Sequence, residues 1–500
     1  MGRGRRDHRR LAVTVAVAGV LAVAAWRFAH HWRRTRACAD PTVRLVEIPN
    51  VEMAPRPVVG AERVARIKQL ISSFATMDKP DFGLSQTLAG ESFSPIDGQS
   101  QAGSMLLTDH RIAQSAALRE LVAMGPDALP YLLDSLGDAT PTKIVVEHRD
   151  AIGAMWFSGE LSTNPANPAE LGICEERADP DAPPIDQYTV RVGDVCFVAI
   201  GQIVGRPYQA MRYQPTACIV INSPVHDSAL RAKVRAIWSS SDPAKSMLRS
   251  YLADFSTRGP LNERIDLKEG LSSGFSKADH AQRAAALRLL YYFPREGGPL
   301  VARRLAGLDT RPTGDDLAAW LRQYLANGAR IEGLVKAASW SKDPTIRSAI
   351  REIFRSSRDP DVLLAAVPAI DDAELVRARL EPLIRALPAE DWPGFEGGRL
   401  LAALLEHASK TARPVFEQYL RDGGVARCLT ASTVLEEARL PVPWASDVLT
   451  PLLVDKRTTE NYGQARVCDW AARALAHHRP DMTFRCIPED ATPRSTVGLE

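Results

Sequence analysis

SKDPTIRSAIREIFRSSRDPDVLLAAVPAI, residues 341–370, decides the fold class. Asp343 precedes Pro344, and Asp359-Pro360 repeats the pair sixteen residues later. A short acidic side chain accepts hydrogen bonds from the free amides of a helix's first turn, and a proline at the first helical position forfeits no bond. Each Asp-Pro therefore opens a helix, and Ser241-Asp242-Pro243 is a third example. Two short helices joined by a tight turn cannot each bury an apolar face alone, so such hairpins stack on their neighbours.

Similar hairpins read outward in both directions. RIAQSAALRELVAMGPDALPYLLDSLGD (111–138) predicts a helix from Arg111 to Met124, a stop at Gly125-Pro126, and a second helix from Asp127 to Leu136. AQRAAALRLLYYFPREGGPLVARRLAGL (281–308) predicts helix, break, helix, with Pro294 and Gly297-Gly298 at the break. RLLAALLEHASKTARPVFEQYL (399–420) and ARVCDWAARALAHH (465–478) continue the pattern. At the other end, Val64, Ile67, Leu70, Ile71 and Phe74 fall on one helical face.

These units resemble HEAT repeats, in the alanine- and arginine-rich bacterial form where Asp-Pro opens a helix bearing an arginine. Lys342-Asp343-Pro344 with Arg347 carries the likeness, as does Arg466 to Leu475. It covers 110–140 and much of 280–480 in degenerate copies. VGDVCFVAIGQIVGR and YQPTACIVINSP add a looser likeness to membrane-anchored HEAT-repeat proteins of planctomycete-type bacteria. The resemblance implies a curved scaffold with a binding groove and no chemistry. The expected fold is thus all-α, an α-solenoid of degenerate HEAT-like hairpins with an irregular insertion and an amino-terminal transmembrane helix. Its segments are a basic start (1–10), an anchor (11–29), a linker (30–60), helical repeats (61–138), the insertion (139–225), the HEAT-like region (226–480) and a tail (481–500).

The insertion mixes signals. Its five prolines over 164–186 predict an exposed loop. Tyr188, Val190 and Val192 alternate as in a strand, Val195 to Ile203 has helical spacing, and CIVINSP reads as a second extended piece. Asp194, Cys196, Gln202, Arg206 and Tyr208 form its densest polar set. A functional reading makes Cys196 a nucleophile and Arg206 an anion ligand, with Tyr208 beside it. Thiolate formation needs a base, and the histidines nearest in sequence are His148 and His226. Packing accounts for Cys196 and Arg206 more cheaply.

Elsewhere no HExxH, CxxC, Walker A, Rossmann glycine or GxSxG pattern occurs, so no metal, cofactor or catalytic residue is assigned. Asp371-Asp372 and Glu436-Glu437 suit helix ends and solvated faces. Trp320, Trp340, Trp392, Trp444 and Trp470 suit packing between repeats. Of the seven cysteines, those after Cys38 fall in two clusters (174–218 and 428–486) that could pair if exported; otherwise Cys196, Cys218, Cys428 and Cys468 are small buried groups.

The first 36 residues hold nine arginines, no lysine and one acid, Asp7, leaving the body slightly acidic. Nucleic acid is therefore not an expected partner. LAVTVAVAGVLAVAAW (11–26) holds no charge across 16 residues, about 24 Å of helix against a bilayer core of about 30 Å. A snorkelling Arg27 extends it through Ala29. RFAHHWRRTR follows where a cleavage site would need small residues, so an uncleaved single-pass anchor is expected, its body on the exported, periplasmic side. The expected function is non-enzymatic scaffolding of a protein or peptide at the membrane. The alternative is an enzyme or ligand sensor with its site in or beside 139–225.

Overall fold

The Asp-Pro starts form as the sequence predicts. In the computed structural model, Asp343 Oδ1 accepts the amides of Thr345 and Ile346 at 2.8 and 3.1 Å, and Asp359 Oδ1 those of Asp361 and Val362 at 2.9 and 3.4 Å. Asp242 accepts from Lys245 at 3.0 Å. The structure describes residues 44–45, 47–78, 93–96, 115–147, 164, 166–171, 187–213, 219–258, 273–310, 323, 327, 330–387, 396–421, 423–458 and 466–481. The basic start, the anchor, most of the linker's amino-terminal half and nearly all of the tail lie outside them, as do Trp320, Trp392 and His148. No described helix is long and apolar enough to cross a membrane.

The described chain is mostly helical, and two compact units divide it, residues 1–285 and 286–500. The first unit holds α1 (Ala61–Ser73), α2 (Ala116–Met124), α3 (Leu129–Asp134), α4 (Val192–Val204), α5 (Ser228–Trp238) and α6 (Pro243–Ser256). Three antiparallel ribbons accompany them: β1 (Arg44–Leu45) with β6 (Thr257–Arg258), β2 (Pro141–Glu147) with β3 (Gln187–Arg191), and β4 (Met211–Tyr213) with β5 (Ile219–Ile221). Helix α7 (Ser273–Tyr292) spans the division between the units. The second unit continues with α8 (Pro294–Ala306), α9 (Ile331–Ala338), α10 (Pro344–Ser356), α11 (Pro360–Ala366), α12 (Ala373–Ala386), α13 (Glu396–Arg421, two helices joined at a kink at Ala408), α14 (Val425–Glu436), α15 (Ala445–Leu449) and α16 (Val467–His478).

One local expectation needs correction, and other segments have partners that the sequence pattern does not show. Gly297 and Gly298 do not break the 281–308 hairpin; they lie inside α8, and the break is at Phe293-Pro294. Gly297 is there because a Cβ would come within 2.6 Å of Leu289 Cβ, so its absence lets two helices approach. Pro168 is exposed, as the loop reading expects, while Asn164 and Asn167 are buried; Pro165, Pro180, Pro183 and Pro184 lie outside the described residues. PTKIVVE (141–147) forms the strand β2 that pairs with β3, Val145 opposite Thr189. In the linker, Arg44 and Leu45 pair with Arg258 and Thr257. The apolar segment after β3 is also more than a piece of an insertion. All thirteen residues of α4 are buried, and α1, α2, α3 and α6 pack around it.

In the second unit, α12 packs on α13, α13 on α14, and α14 on α16. A helix leaves its last carbonyls without intrahelical donors. Here an arginine or histidine side chain from a later element meets them in series. Arg379 of α12 donates to Phe354 O at 3.2 Å and to Ser357 O, at the end of α10. Arg427 of α14 donates to Leu387 O, the cap of α12. His477 Nε2 of α16 lies 2.8 Å from Ala438 O, just past α14. Elements separated in the chain are thus clasped one to the next. Arg347 does the same for Ala369 O at 2.8 Å, past α11, and in the first unit Arg235 reaches Leu133 O and Asp134 O at 3.0 and 3.1 Å.

Arg427 is 6% exposed, and its guanidinium lies 4.9 Å from the Tyr419 ring centroid. A hydrogen bond from a charged group contributes about 1.5–3 kcal/mol. Arg427→Ala should therefore lower stability in urea melts by about 2–3 kcal/mol. Arg358→Ala, at an exposed position, should stay within about 0.5 kcal/mol.

Candidate functional site

The polar set singled out from the sequence is assembled along α4 and the turn after it, and it faces inward. At the amino end of α4, Asp194 occupies the third helical position and accepts the Arg191 amide at 2.9 Å. Its carboxylate also accepts the Tyr188 hydroxyl at 2.7 Å and the Ser223 hydroxyl at 2.5 Å. Burial pushes the Asp194 carboxyl above its ordinary range, against the hydrogen bonds from Ser223, Tyr188 and Arg191 that favour ionisation. Burial, with Asp194 nearby, also raises the Tyr188 phenol.

Cys196 follows on α4 with no exposed surface. Burial first, then the Asp138 and Asp194 carboxylates, push its thiol upward, away from the thiolate a nucleophile requires. His226 does not serve it as a base; it is exposed, and its ring packs edge-on to Tyr188 with centroids 6.0 Å apart. Gln202 Oε1 accepts the Ser94 amide at 2.8 Å.

Past α4 the chain turns at Gly205, which adopts φ 71°, a left-handed conformation that suits glycine. The turn folds Tyr208 back against Gly201, where a Cβ would lie 2.6 Å from Tyr208 Cβ. Tyr208 stacks on Phe197, centroids 4.8 Å apart and planes 5° from parallel, and its hydroxyl accepts Trp238 Nε1–H at 2.9 Å. Arg206, also wholly buried, meets two carboxylates: Nη1 lies 2.5 Å from Asp254 Oδ2 and Nε 3.2 Å from Glu170 Oε2. Nη2 donates to Ser250 Oγ at 3.1 Å. Burial acts to lower its pKa, but Asp254 and Glu170 outweigh that and hold the guanidinium charged.

The loop before α4 completes this cluster. Asn164 Nδ2 donates to Asp254 Oδ1 and Thr257 Oγ1, both at 2.8 Å. Asn167 Nδ2 donates to the same Asp254 oxygen at 2.7 Å and to Ser250 O at 2.9 Å. Each asparagine's own oxygen accepts the amide two residues on, from Ala166 at 3.1 Å and Ala169 at 2.9 Å. The twin Asn-Pro steps are therefore two successive Asx turns that aim their carboxamides inward. Glu170, Asp254, Ser250, Ser223, Asn164 and Asn167 were not singled out from the sequence. The repeated Asn-Pro was the one available signal.

Arg206 and Tyr208 thus hold internal partners at one end of α4, and Asp194 does so at the other. The three described cysteines, Cys196, Cys428 and Cys468, are free thiols. Trp444 and Trp470 are 9% exposed, with Trp444 Nε1–H donating to Ser409 O at 3.0 Å. Asp372 caps α12, while Asp371 and Glu436 take Arg347 and Arg473 at 2.8 and 2.7 Å. Among the described residues no group of three or more His, Cys, Asp or Glu is placed to hold a metal ion.

Fold and site define a mostly helical protein whose first unit is built on a buried apolar helix with an ion cluster at its end. No protein-family model matches the chain, and neither a curated protein nor a solved structure matches it.

Removing Arg206 strands two buried carboxylates. Arg206→Met should cost about 3–5 kcal/mol, read as a lower denaturant midpoint. Asp194 gives a pH signature. A raised carboxyl binds protons more readily in the folded chain than in the unfolded one, so its contribution falls as pH rises through the folded pKa. Asp194→Asn lacks that slope. The stability gap between wild type and Asp194→Asn should therefore be largest at acid pH and shrink toward neutrality, as urea melts at pH 4.5 and 7.5 will test.

Proposed function

We propose that the chain is a membrane-anchored scaffold whose carboxyl-terminal unit is a HEAT-like helical array that binds a protein or peptide, without chemistry of its own. The observation that carries this reading is the serial clasp: α12 on α10, α14 on α12, α16 on α14. A repeated contact between helices that do not follow one another directly in the chain is what stacked hairpins require, because each hairpin is stabilised through its neighbours. Two buried networks in the first unit support the non-enzymatic part, since their polar groups are engaged with one another. The anchor rests on the arginine-flanked apolar run at 11–29.

Leu440 and Val454 are 76% and 80% exposed, and they are the large apolar side chains that the described part of the array presents to a partner. Deleting 11–29 should release the protein from carbonate-washed membranes. A reporter fused to the carboxyl terminus should report the exported side. Proximity labelling in intact cells should recover a stoichiometric partner. Its yield should drop several-fold in a Leu440→Asp, Val454→Asp double variant with wild-type circular dichroism. Repeated labelling that yields no such partner would sink the scaffold reading.

A further inference from the structure

The last clasp of the series differs from the others in using histidine. At the carboxyl end of α16, His477 lies against Ala438 O, and His478 turns inward, 7% exposed, where its Nδ1 accepts the Val442 amide at 3.0 Å. Both contacts hold the segment that joins α14 to α15, ARLPVPW (438–444). An arginine clasp stays charged at any accessible pH, whereas the contact of His478 with the Val442 amide depends on proton occupancy. Nδ1 can accept only when the ring is neutral with its proton on Nε2. A second proton turns Nδ1 into a donor facing a donor, and the buried Val442 amide then has lost its acceptor.

We infer that His478 is an acid-released latch: protonation frees the 438–444 segment around Val442 and uncovers Val442 beside the already exposed Leu440, while Trp444 stays held by Ser409 O and Phe416. In the closed form Val442 is 7% exposed, so opening adds a second apolar side chain to the exposed leucine. The inference concerns a conformational change and stands independently of whether the array binds a partner.

The surroundings set the direction of the switch. Burial, then the neighbouring His477 ring at 5.0 Å, lower the His478 pKa from 6.5, while the Leu435 carbonyl opposes them. The charged groups on the elements packed around it are mutually engaged. From α14, Glu436 is held by Arg473 at 2.7 Å; beside it, burial and Glu436 raise the Glu437 carboxyl, which favours its neutral form. From α15, Asp447 is held by Arg413 at 2.8 Å; past the turn at 450–454, Asp455 is held by Arg457 at 2.6 Å. In the segment itself Arg439 lies 3.4 Å from Glu406, and beyond α16 Arg479 pairs with Asp481 at 2.7 Å. A ring whose closed-state pKa is lowered binds fewer protons closed than open. The latch is therefore closed above the ordinary histidine range and opens as pH falls through the lowered value.

Hydrogen exchange on the full-length chain tests this. After correction for intrinsic rates, peptides covering 438–444 should lose protection by about tenfold or more between pH 7.5 and 5, while peptides from α10 keep theirs. His478→Asn places a carboxamide oxygen where Nδ1 was and does not titrate, so its 438–444 protection should be the same at both pH values. Unchanged protection in the wild type, or an equal loss in His478→Asn, overturns the inference. If the Asn variant does not fold, a nuclear magnetic resonance titration of His478 in the wild type decides: a pKa below 6.5 supports the latch, and one at or above 6.5 overturns it.

Discussion

Every helix ends with carbonyls that its own amides cannot reach, and the second unit is organised by how those carbonyls are met. Water serves where the end is exposed, but packing one helix end under another excludes water and requires a donor from elsewhere. A guanidinium suits the task, because its forked donors span two carbonyls and its charge is favourable at the negative end of the helix dipole. Arg379 reaching Phe354 and Ser357 makes this bidentate contact, and Arg347 joins a carbonyl to the Asp371 carboxylate. Such a contact fixes the position of one helix relative to the end of another. Repeated along the unit, it sets a register that apolar packing alone, which is non-directional, would leave loose.

The first unit solves the complementary problem. Its central helix has no solvent face, so both its ends and the turn that leaves it are enclosed. The amino end is satisfied by Asp194, Tyr188 and Ser223, and the carboxyl end by Gly205 and the Arg206 cluster. A lone guanidinium in that position would be costly, and so would either carboxylate without it. The cluster is viable because Glu170, Asp254, Ser250, Asn164 and Asn167 divide the donors and acceptors among them. Those partners come from the 164–170 loop and α6, so the cluster also ties those chain segments together.

This explains which features could be read from sequence. Helix starts were legible at Asp242, Asp343 and Asp359, because a cap and its amides lie within three residues of each other. Strand alternation at 188–192 and the apolar period of α4 were legible for the same reason. The partner of β3 was not, because β2 lies forty residues earlier in a segment whose pattern is mixed. Gly297 looked like a break because glycine weakens a helix, yet Leu289 needs the space its missing side chain leaves. Apart from Arg347, the clasping arginines were visible only as composition. What each one does depends on which carbonyl stands opposite, and Arg427 and Leu387 are separated by forty residues of chain.

The same separation governed the reading of the polar set. Asp194, Cys196, Arg206 and Tyr208 stand out in an apolar stretch, and a nucleophile, an acid and a cation within fifteen residues invite a chemical interpretation. Clustering in sequence is a poor guide here, because on a buried helix the residues point in different directions. Asp194 belongs to one network, Arg206 to another, and Cys196 lies between them in apolar packing with its thiol held protonated. Polar residues in a buried element are retained where their ends must be satisfied. The contrast is His478, inconspicuous in sequence as half of a common dipeptide, whose acceptor role depends on a proton that physiological acidity can supply. The one buried described imidazole whose acceptor role depends on its protonation thus lies at the end of the second unit and not in the most polar segment.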